Sequence, residues 1–203
     1  MPPIKHIWFD FSETISRSNN EAHAKLRYET YAGIVGKPVT PLLIAEFDDL
    51  LKRLGSHSAV FVSLGKTSDF WSSCISSHAG ELLTLADSDS PAVFEKLHAL
   101  LPISIFSNVH ANRLLPALGV NPAWFTHFLG PDEVKKPKPA LEGFEMLIGM
   151  SKLPAENILY VGDHIEKELL PARSLGMQTG LMWGNSPEVT YSFSKFRDIL
   201  AIL

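Results

Sequence analysis

The sequence predicts an α/β fold whose core is a parallel sheet of about five strands, with an all-helical segment inserted into it. Three features of the 203-residue chain indicate this fold. Short apolar runs alternate with helical patterns over residues 90–203, as in a parallel sheet with right-handed crossovers. One further apolar run lies near the N-terminus, at residues 4–9. The residues between this run and position 90 have helical periodicity without strands, so they interrupt the sheet as an insertion.

The strands are predicted from apolar runs, because a buried parallel strand has apolar residues on both faces. Five segments of the chain fit this description. In chain order they are residues 4–9, 103–106, 126–129, 158–161 and 177–183.

The helices are predicted from apolar residues at helical spacing and from their end signals. Pro41 is placed to start the helix that Gly55 ends, and Ser90 with Pro91 forms the cap and first turn of another. The predicted helices are residues 20–33, 42–54, 67–77, 90–100, 113–118, 141–149, 166–175 and 193–203. Residues 1–15 and 90–203 are therefore assigned to the α/β core, and residues 16–89 to the helical insertion.

Composition narrows the class of protein. The chain is 45% hydrophobic and 20% charged, as in soluble globular proteins, and its net charge of −4 argues against nucleic-acid binding. No apolar run approaches the roughly 20 residues of a membrane helix. Cys74 is the only cysteine, which excludes an intramolecular disulfide, and the N-terminus has no signal-peptide pattern. We therefore expect a cytoplasmic monomer or homodimer without a membrane or nucleic-acid partner.

Polar segments follow the apolar runs and are expected to form one site. Phe9 runs into the segment 10–14, and Phe106 runs into Ser107 and Asn108. The lysine- and proline-rich segment 134–139 follows a third run, and Gly162-Asp163 ends a fourth. Open α/β sheets bind ligands at the carboxyl ends of their strands. Two carboxylates suit a hard cation, and a hydroxyl with a lysine suits a phosphate.

The order and content of these segments resemble the haloacid dehalogenase (HAD)-like hydrolase superfamily. Its motifs are a strand ending in Asp-x-Asp-x-Thr, a strand ending in Ser or Thr, a lysine often followed by Pro-x-Pro, and a strand ending in Gly-Asp with a further acid. They correspond here to the segment 10–14, Ser107, Lys136 and Gly162-Asp163 with Glu168. The resemblance spans residues 4–183 and implies a Rossmann-like core with a helical cap that closes over the active site.

The resemblance also implies the chemistry. Asp10 would attack phosphorus and form an aspartyl-phosphate that water hydrolyses. Mg²⁺ would be held by Asp10, Asp163 and the backbone carbonyl of Ser12. Ser107 and Lys136 would complete the catalytic set, Lys136 being chosen because it directly precedes a proline. The substrate would be a small phosphorylated metabolite.

Ser12 and Asn108 are the predicted substrate-binding residues, and Ser12 is also one of two departures from the family pattern. An acid–base aspartate usually stands at position 12, and a small residue at position 13, where this chain has Glu13. General acid–base catalysis by such a residue typically raises the reaction rate 10²–10⁴-fold. The leaving group could need no proton, Glu13 or His23 could supply it, or turnover could be slow. The Glu13 side chain could point into the phosphate site or away from it.

Other functions remain open from the sequence. One is a sibling chemistry of the same fold, carbon–phosphorus or carbon–halogen hydrolysis. Another is a non-catalytic binding or scaffold protein, which the Ser12 and Glu13 departures favour. Glu168 could orient Lys136 or a metal-bound water, or could serve as an N-terminal helix charge.

Overall fold

A six-stranded parallel sheet forms the centre of the larger part of the molecule, with strand order β5-β4-β1-β6-β7-β8. The computed structural model describes all residues, 1–203. The strands of this sheet are β1 (His6–Phe9), β4 (Ile103–Phe106), β5 (Phe125–Leu129), β6 (Ile158–Gly162), β7 (Gln178–Met182) and β8 (Tyr191–Phe193). The α/β class and the five predicted strands are confirmed, within two residues at each end.

The sixth strand, β8, was not predicted, because residue 193 was assigned to the last helix. Its pairing with β7 sets Tyr191 opposite Gly180. The ring of Phe193 packs where a side chain on Gly180 would stand, 2.6 Å from the nearest ring carbon. A strand of three residues at a sheet edge leaves only one buried side chain, so no apolar run marks it in the sequence.

Helices α6 to α9 cover this sheet. They are α6 (Ser90–Leu100), α7 (Ala111–Leu114), α8 (Leu141–Ser151) and α9 (Leu170–Ser174). Four 3₁₀ helices add to them: Leu115–Leu118, Pro122–Trp124, Ala155–Asn157 and Phe196–Ile202. The predicted helix 166–175 is two elements, a π-helical turn at Ile165–Leu169 and then α9. No helix of the structure is long and apolar enough to cross a membrane.

The chain divides into two compact units, one formed by residues 1–17 and 85–203 and the other by residues 18–84. Two short strands, β2 (Ser16–Ser18) and β3 (Leu83–Leu85), pair in a separate sheet and contain the two boundaries. The segment 16–89, expected to be all-helical, therefore has a strand near each end. Within the larger unit, the Ala86 N–H donates to the Ile15 carbonyl at 2.9 Å, so the two boundaries lie side by side.

The smaller unit consists of five helices around an aromatic core. They are α1 (Asn20–Val35), α2 (Pro41–Leu54), α3 (His57–Ser63), α4 (Phe70–Ser77) and α5 (Ala79–Leu82). Helix α2 starts and ends as predicted, with Thr40 capping its first turn and Gly55 in the left-handed region after it. Phe47 is fully buried, and the Tyr31 ring packs on it at a centroid distance of 5.3 Å.

Candidate active site

Asp10 directly follows β1, an interior strand of the large sheet, and is 4% exposed. Its backbone N–H donates to the Val161 carbonyl at 2.8 Å, which continues the β1–β6 ladder past the end of β1. Because β1 lies between β4 and β6, the polar residues that follow those strands flank Asp10. The buried carboxylate therefore lies at the centre of the carboxyl edge of the sheet.

Lys138 provides the positive charge beside Asp10. Its Nζ lies 2.5 Å from Asp10 Oδ1, is hydrogen-bonded to Glu168 Oε1, and lies 3.0 Å from the Tyr160 hydroxyl. It also donates to the Phe106 carbonyl at 3.2 Å. Burial alone would lower the pKa of Lys138, but the carboxylates of Asp10 and Glu168 outweigh burial and raise it. The side chain is therefore a buried ammonium held between two carboxylates.

The structure places Lys138 in the cleft, and not Lys136, which was predicted as the catalytic lysine. Lys136 is exposed and does not line the cleft, whereas Lys138 does. The criterion, a lysine directly before a proline, fits both residues, because Pro137 follows one and Pro139 the other. Asn108 Oδ1 accepts the backbone N–H of Lys138 at 3.0 Å and so fixes the loop with Lys138 turned inward. Asn108, predicted to bind substrate, thus holds the lysine loop and also lines the cleft.

Asp163 and Glu168 complete a cluster of three carboxylates. One oxygen each from Asp10, Asp163 and Glu168 lies within 4.8 Å of the others. Burial and the charge of Asp10 raise the pKa of Asp163, although the Thr14 hydroxyl donates to it at 3.2 Å. Burial and Asp10 also raise the pKa of Glu168, to about 8, against the opposing effect of Lys138. The cluster therefore concentrates negative charge that Lys138 alone does not neutralise.

Gly162 makes room for Glu168. A Cβ at this position would overlap Glu168 Oε2, which is buried and has no hydrogen-bond partner. Glu168 belongs to the π-helical turn, which carries its side chain back over the end of β6. The Gly-Asp sequence after β6 thus has a packing cause, since the glycine admits a carboxylate and the aspartate faces the cleft.

The carboxylate cluster suits a divalent cation of the Mg²⁺ type. Such a cation prefers oxygen ligands and uses one or two carboxylates besides water and phosphate oxygens. Asp10 and Asp163 offer these ligands, and the unpartnered Oε2 of Glu168 leaves one buried acceptor available to a water or a cation. The part expected of the Ser12 carbonyl remains a prediction.

Ser107 and the loop after Asp10 line the same cleft. Ser107 is 2% exposed; its Oγ accepts the Val109 N–H at 3.3 Å, and its own hydrogen is free to be donated to a ligand. Ser12 is exposed, with no carboxylate to offer. Glu13 adopts a positive φ of 59°, a conformation that favours the small residue usual at this position.

Arg17 holds the Glu13 side chain. It donates to the Glu13 carbonyl at 2.6 Å and to Glu13 Oε2 at 3.2 Å, and its guanidinium lies 5.1 Å from the centre of the Trp183 ring. The Trp183 indole N–H in turn donates to the Thr14 carbonyl at 3.3 Å. Glu13 thus lines the cleft with the Arg17 guanidinium beside its carboxylate.

The cleft has a volume of about 240 Å³ and a lining without a single apolar side chain. It is lined by Asp10, Ser12, Glu13, Ser107, Asn108, Lys138, Asp163, His164, Lys167 and Glu168. The predicted site residues are brought together there, Lys136 excepted. The sequence analysis did not select Lys138, His164 or Lys167. Lys138 carries the same proline signal as Lys136, and the other two are close in sequence to Asp163 but belong to no pattern.

The chain is similar to known hydrolases and phosphatases. The model of the haloacid dehalogenase-like hydrolases matches residues 4–176. A glyceraldehyde 3-phosphate phosphatase of Methanocaldococcus jannaschii is 39% identical over an alignment of 201 positions that covers 87% of this chain and 83% of that protein.

Two solved structures share the fold at low sequence identity. A HAD phosphatase of Thermococcus onnurineus superposes with a TM-score of 0.74 at 16% identity, covering 98% of this chain and 97% of its own. A HAD hydrolase of Bacillus subtilis, solved with bound magnesium and described as undergoing interdomain movement, has a TM-score of 0.66 at 18% identity and covers 99% of both chains.

Proposed function

Because the chain belongs to the haloacid dehalogenase-like hydrolase family, we propose that it is a Mg²⁺-dependent phosphatase of a small phosphorylated metabolite. The observation that carries this proposal is the placement of Asp10, buried at the base of a wholly polar cleft with Lys138 and Asp163 beside it. The 39% identity to a named glyceraldehyde 3-phosphate phosphatase supports phosphate esters as the substrate class.

The proposed reaction starts with the Asp10 carboxylate attacking phosphorus, so that a bond from its oxygen to phosphorus forms and the ester P–O bond breaks. Lys138 holds Oδ1 at 2.5 Å and orients the carboxylate, and the Ser107 hydroxyl donates to a phosphoryl oxygen. Asp10, Asp163 and the Ser12 carbonyl would hold Mg²⁺, which offsets the repulsion between the carboxylate and the phosphate. Water then attacks the aspartyl-phosphate and releases phosphate and free Asp10.

Ser12 is expected to limit the rate of this reaction. A serine hydroxyl can hydrogen-bond to the leaving oxygen, but it is a poor acid or base at neutral pH. Glu13 would be a substitute, but its carboxylate is already engaged by Arg17 at 3.2 Å. We therefore infer that the enzyme turns over alkyl phosphates slowly, because their leaving group needs a proton, and that its phosphoenzyme also hydrolyses slowly.

The unit formed by residues 18–84 is proposed to act as a cap over the cleft. Its insertion between β1 and β4 and its own aromatic core support a separately moving body. Closure would exclude bulk solvent from the cleft while the bond between Asp10 and phosphorus forms. Hydrogen exchange measured with and without a phosphate analogue tests this: cap closure predicts slowed exchange in residues 18–84, and unchanged exchange with the analogue demonstrably bound contradicts it.

Turnover of p-nitrophenyl phosphate tests the proposed function. We expect steady release of nitrophenol with Mg²⁺, loss of release in Asp10→Asn, and loss in excess chelator. The unfolding curve of Asp10→Asn shows whether the variant is folded. Turnover that persists in folded Asp10→Asn excludes Asp10 as the nucleophile. Turnover that persists in excess chelator would contradict the proposed dependence on Mg²⁺.

A further inference from the structure

We propose that Lys167 is a specificity-determining residue that binds a carboxylate carried by the substrate at the end remote from its phosphate. This inference rests on the proposed function and deepens it, because it selects phosphate esters of hydroxy acids from the wider class of phosphate monoesters. The structural basis is an unpaired ammonium in a cleft whose other cation is fully engaged.

The two lysines of the cleft have opposite environments. Lys138 is buried, and its ammonium is bonded to Asp10 and Glu168. Lys167 is exposed, lines the same cleft, and has no hydrogen bond or ion pair through its side chain. The charge of Lys138 is therefore already neutralised by protein groups, whereas the charge of Lys167 is available to a ligand.

Depth in the cleft decides which part of the substrate reaches Lys167. The phosphoryl group must lie at the base, against Asp10, which is 4% exposed. Lys167 is exposed and so belongs to the mouth of the cleft. An ester with its phosphorus at Asp10 therefore brings its other end towards Lys167, so this lysine meets the leaving group and not the transferring phosphate.

The local backbone fixes Lys167 beside a second donor. The backbone N–H of Lys167 donates to His164 Nδ1 at 3.4 Å, in the turn that also carries Glu168 into the cluster. With Nδ1 accepting, the neutral His164 ring carries its hydrogen on Nε2. His164 also lines the cleft, so an ammonium and a ring N–H are available in the same part of it.

The charge of the cleft and the residues that line it favour a leaving group that is polar and carries one negative charge. Every residue that lines the cleft is polar or charged, which favours a leaving group that can form hydrogen bonds. One unpaired ammonium balances one negative charge, which matches a carboxylate better than a second, dianionic phosphate.

Three substrates that differ only at the remote carbon test the inference: 3-phosphoglycerate, glyceraldehyde 3-phosphate and glycerol 3-phosphate. The variants are Lys167→Gln and, as a matched control outside the cleft, Lys136→Gln. We expect Lys167→Gln to raise KM for 3-phosphoglycerate about 10-fold, as for loss of one charge-assisted hydrogen bond, and to change KM for glycerol 3-phosphate less than about 2-fold. Lys136→Gln should match the wild type on all three.

An equal effect of Lys167→Gln on all three substrates would place Lys167 on the phosphoryl group and overturn the inference, and so would no effect on any. Failure of the proposed function gives a different result, since the wild type would then turn over none of the esters. In that case calorimetric binding of 3-phosphoglycerate decides the inference. Binding weakened about 10-fold by Lys167→Gln, with binding of inorganic phosphate unchanged, supports it, and equal binding by the two proteins overturns it.

Discussion

Lys138 holds the carboxylate of Asp10 in one orientation, because its ammonium lies 2.5 Å from Asp10 Oδ1 while it is also bonded to Glu168. Oδ1 of Asp10 is thereby engaged, and the other carboxylate oxygen remains for attack or for a cation. The same contact keeps two buried carboxylates in the folded protein, since either would be costly to bury without a cation.

Replacing Lys138 should therefore affect both stability and activity. We expect Lys138→Gln to lower the free energy of unfolding by about 3 kcal/mol, because it leaves Asp10 and Glu168 buried without their cation. Turnover should fall more than about 10²-fold, because Asp10 loses its orientation. Urea unfolding and p-nitrophenyl phosphate assays measure the two effects. Lys136→Gln serves as the control and should change neither the free energy of unfolding nor the turnover. A larger loss of turnover in Lys136→Gln than in Lys138→Gln would assign the catalytic role to Lys136.

Mg²⁺ should stabilise the fold through the carboxylate cluster. At about 100 times its Kd, a bound cation adds about 2.7 kcal/mol to the free energy of unfolding, which a thermal melt detects as a raised Tm. Asp163→Asn should abolish the shift, since it removes one carboxylate of the cluster. Asp132→Asn, an exposed residue outside this cluster, should retain it. The same Mg²⁺ shift in all three proteins would place the cation elsewhere.

Gly162 should tolerate no side chain. Gly162→Ala would push its Cβ into Glu168 Oε2, displacing Glu168 from Lys138, and we expect a loss of about 1–3 kcal/mol in the free energy of unfolding together with a loss of turnover. Gly149→Ala is the matched control, because Gly149 lies in α8 with no atom within 4 Å of an added Cβ. That substitution should be neutral or stabilise by up to about 1 kcal/mol. Equal stability of the two variants would mean that Glu168 has room to move.

Ser12→Asp should restore acid–base help. Alkyl phosphates have poor leaving groups, so their turnover should rise by up to about 10²-fold, and aryl or acyl phosphates should gain less in the bond-breaking step. Rapid-quench timing separates phosphoenzyme formation from its hydrolysis, because faster hydrolysis alone could accelerate both substrate classes. If the folded, Mg²⁺-binding variant is inert towards both, the missing carboxylate does not limit this protein, and a non-catalytic role becomes the better explanation.

His6 should make stability depend on pH below neutrality. Burial and the neighbouring His127 lower the pKa of His6 from 6.5 to about 4, so the unfolded chain binds a proton that the folded protein does not. The free energy of unfolding should therefore fall as pH drops from 6.5 to 4, by on the order of 2 kcal/mol for this residue. Unfolding of His6→Gln over this range should show a shallower slope. The exposed control His98→Gln should keep the wild-type slope, and identical slopes in both variants would contradict the prediction.

The sequence sufficed for the sheet because five strands are long enough to appear as apolar runs between helical patterns. It did not suffice for β8, where one buried residue, Phe193, depends on space left by Gly180 in the neighbouring strand β7. Asp10, Ser107 and Asp163 could be selected because each directly follows a strand. Lys138 could not be separated from Lys136, since which lysine turns inward depends on the bond from its backbone to Asn108.

Glu13 and Lys167 show a second kind of limit. The direction of the Glu13 side chain depends on Arg17, which lies four residues on and is itself stacked on Trp183 from the far end of the chain. Lys167 stands out only because its side chain has no partner, whereas Lys138 in the same cleft is paired with two carboxylates. Both properties depend on contacts that exist only in the folded structure, so the sequence alone does not predict them.

The hydrogen bond between Ala86 and Ile15 holds together the two ends of the α/β core between which the smaller unit is inserted. Because these two residues are already joined at 2.9 Å, the ends of the α/β core would meet if residues 18–84 were excised. A connection of about 2–6 residues would span the gap, and so short a loop costs little closure entropy. Asp10, Asp163 and Glu168 all lie in residues 1–17 and 85–203, so excision of the inserted unit would remove no member of the carboxylate cluster.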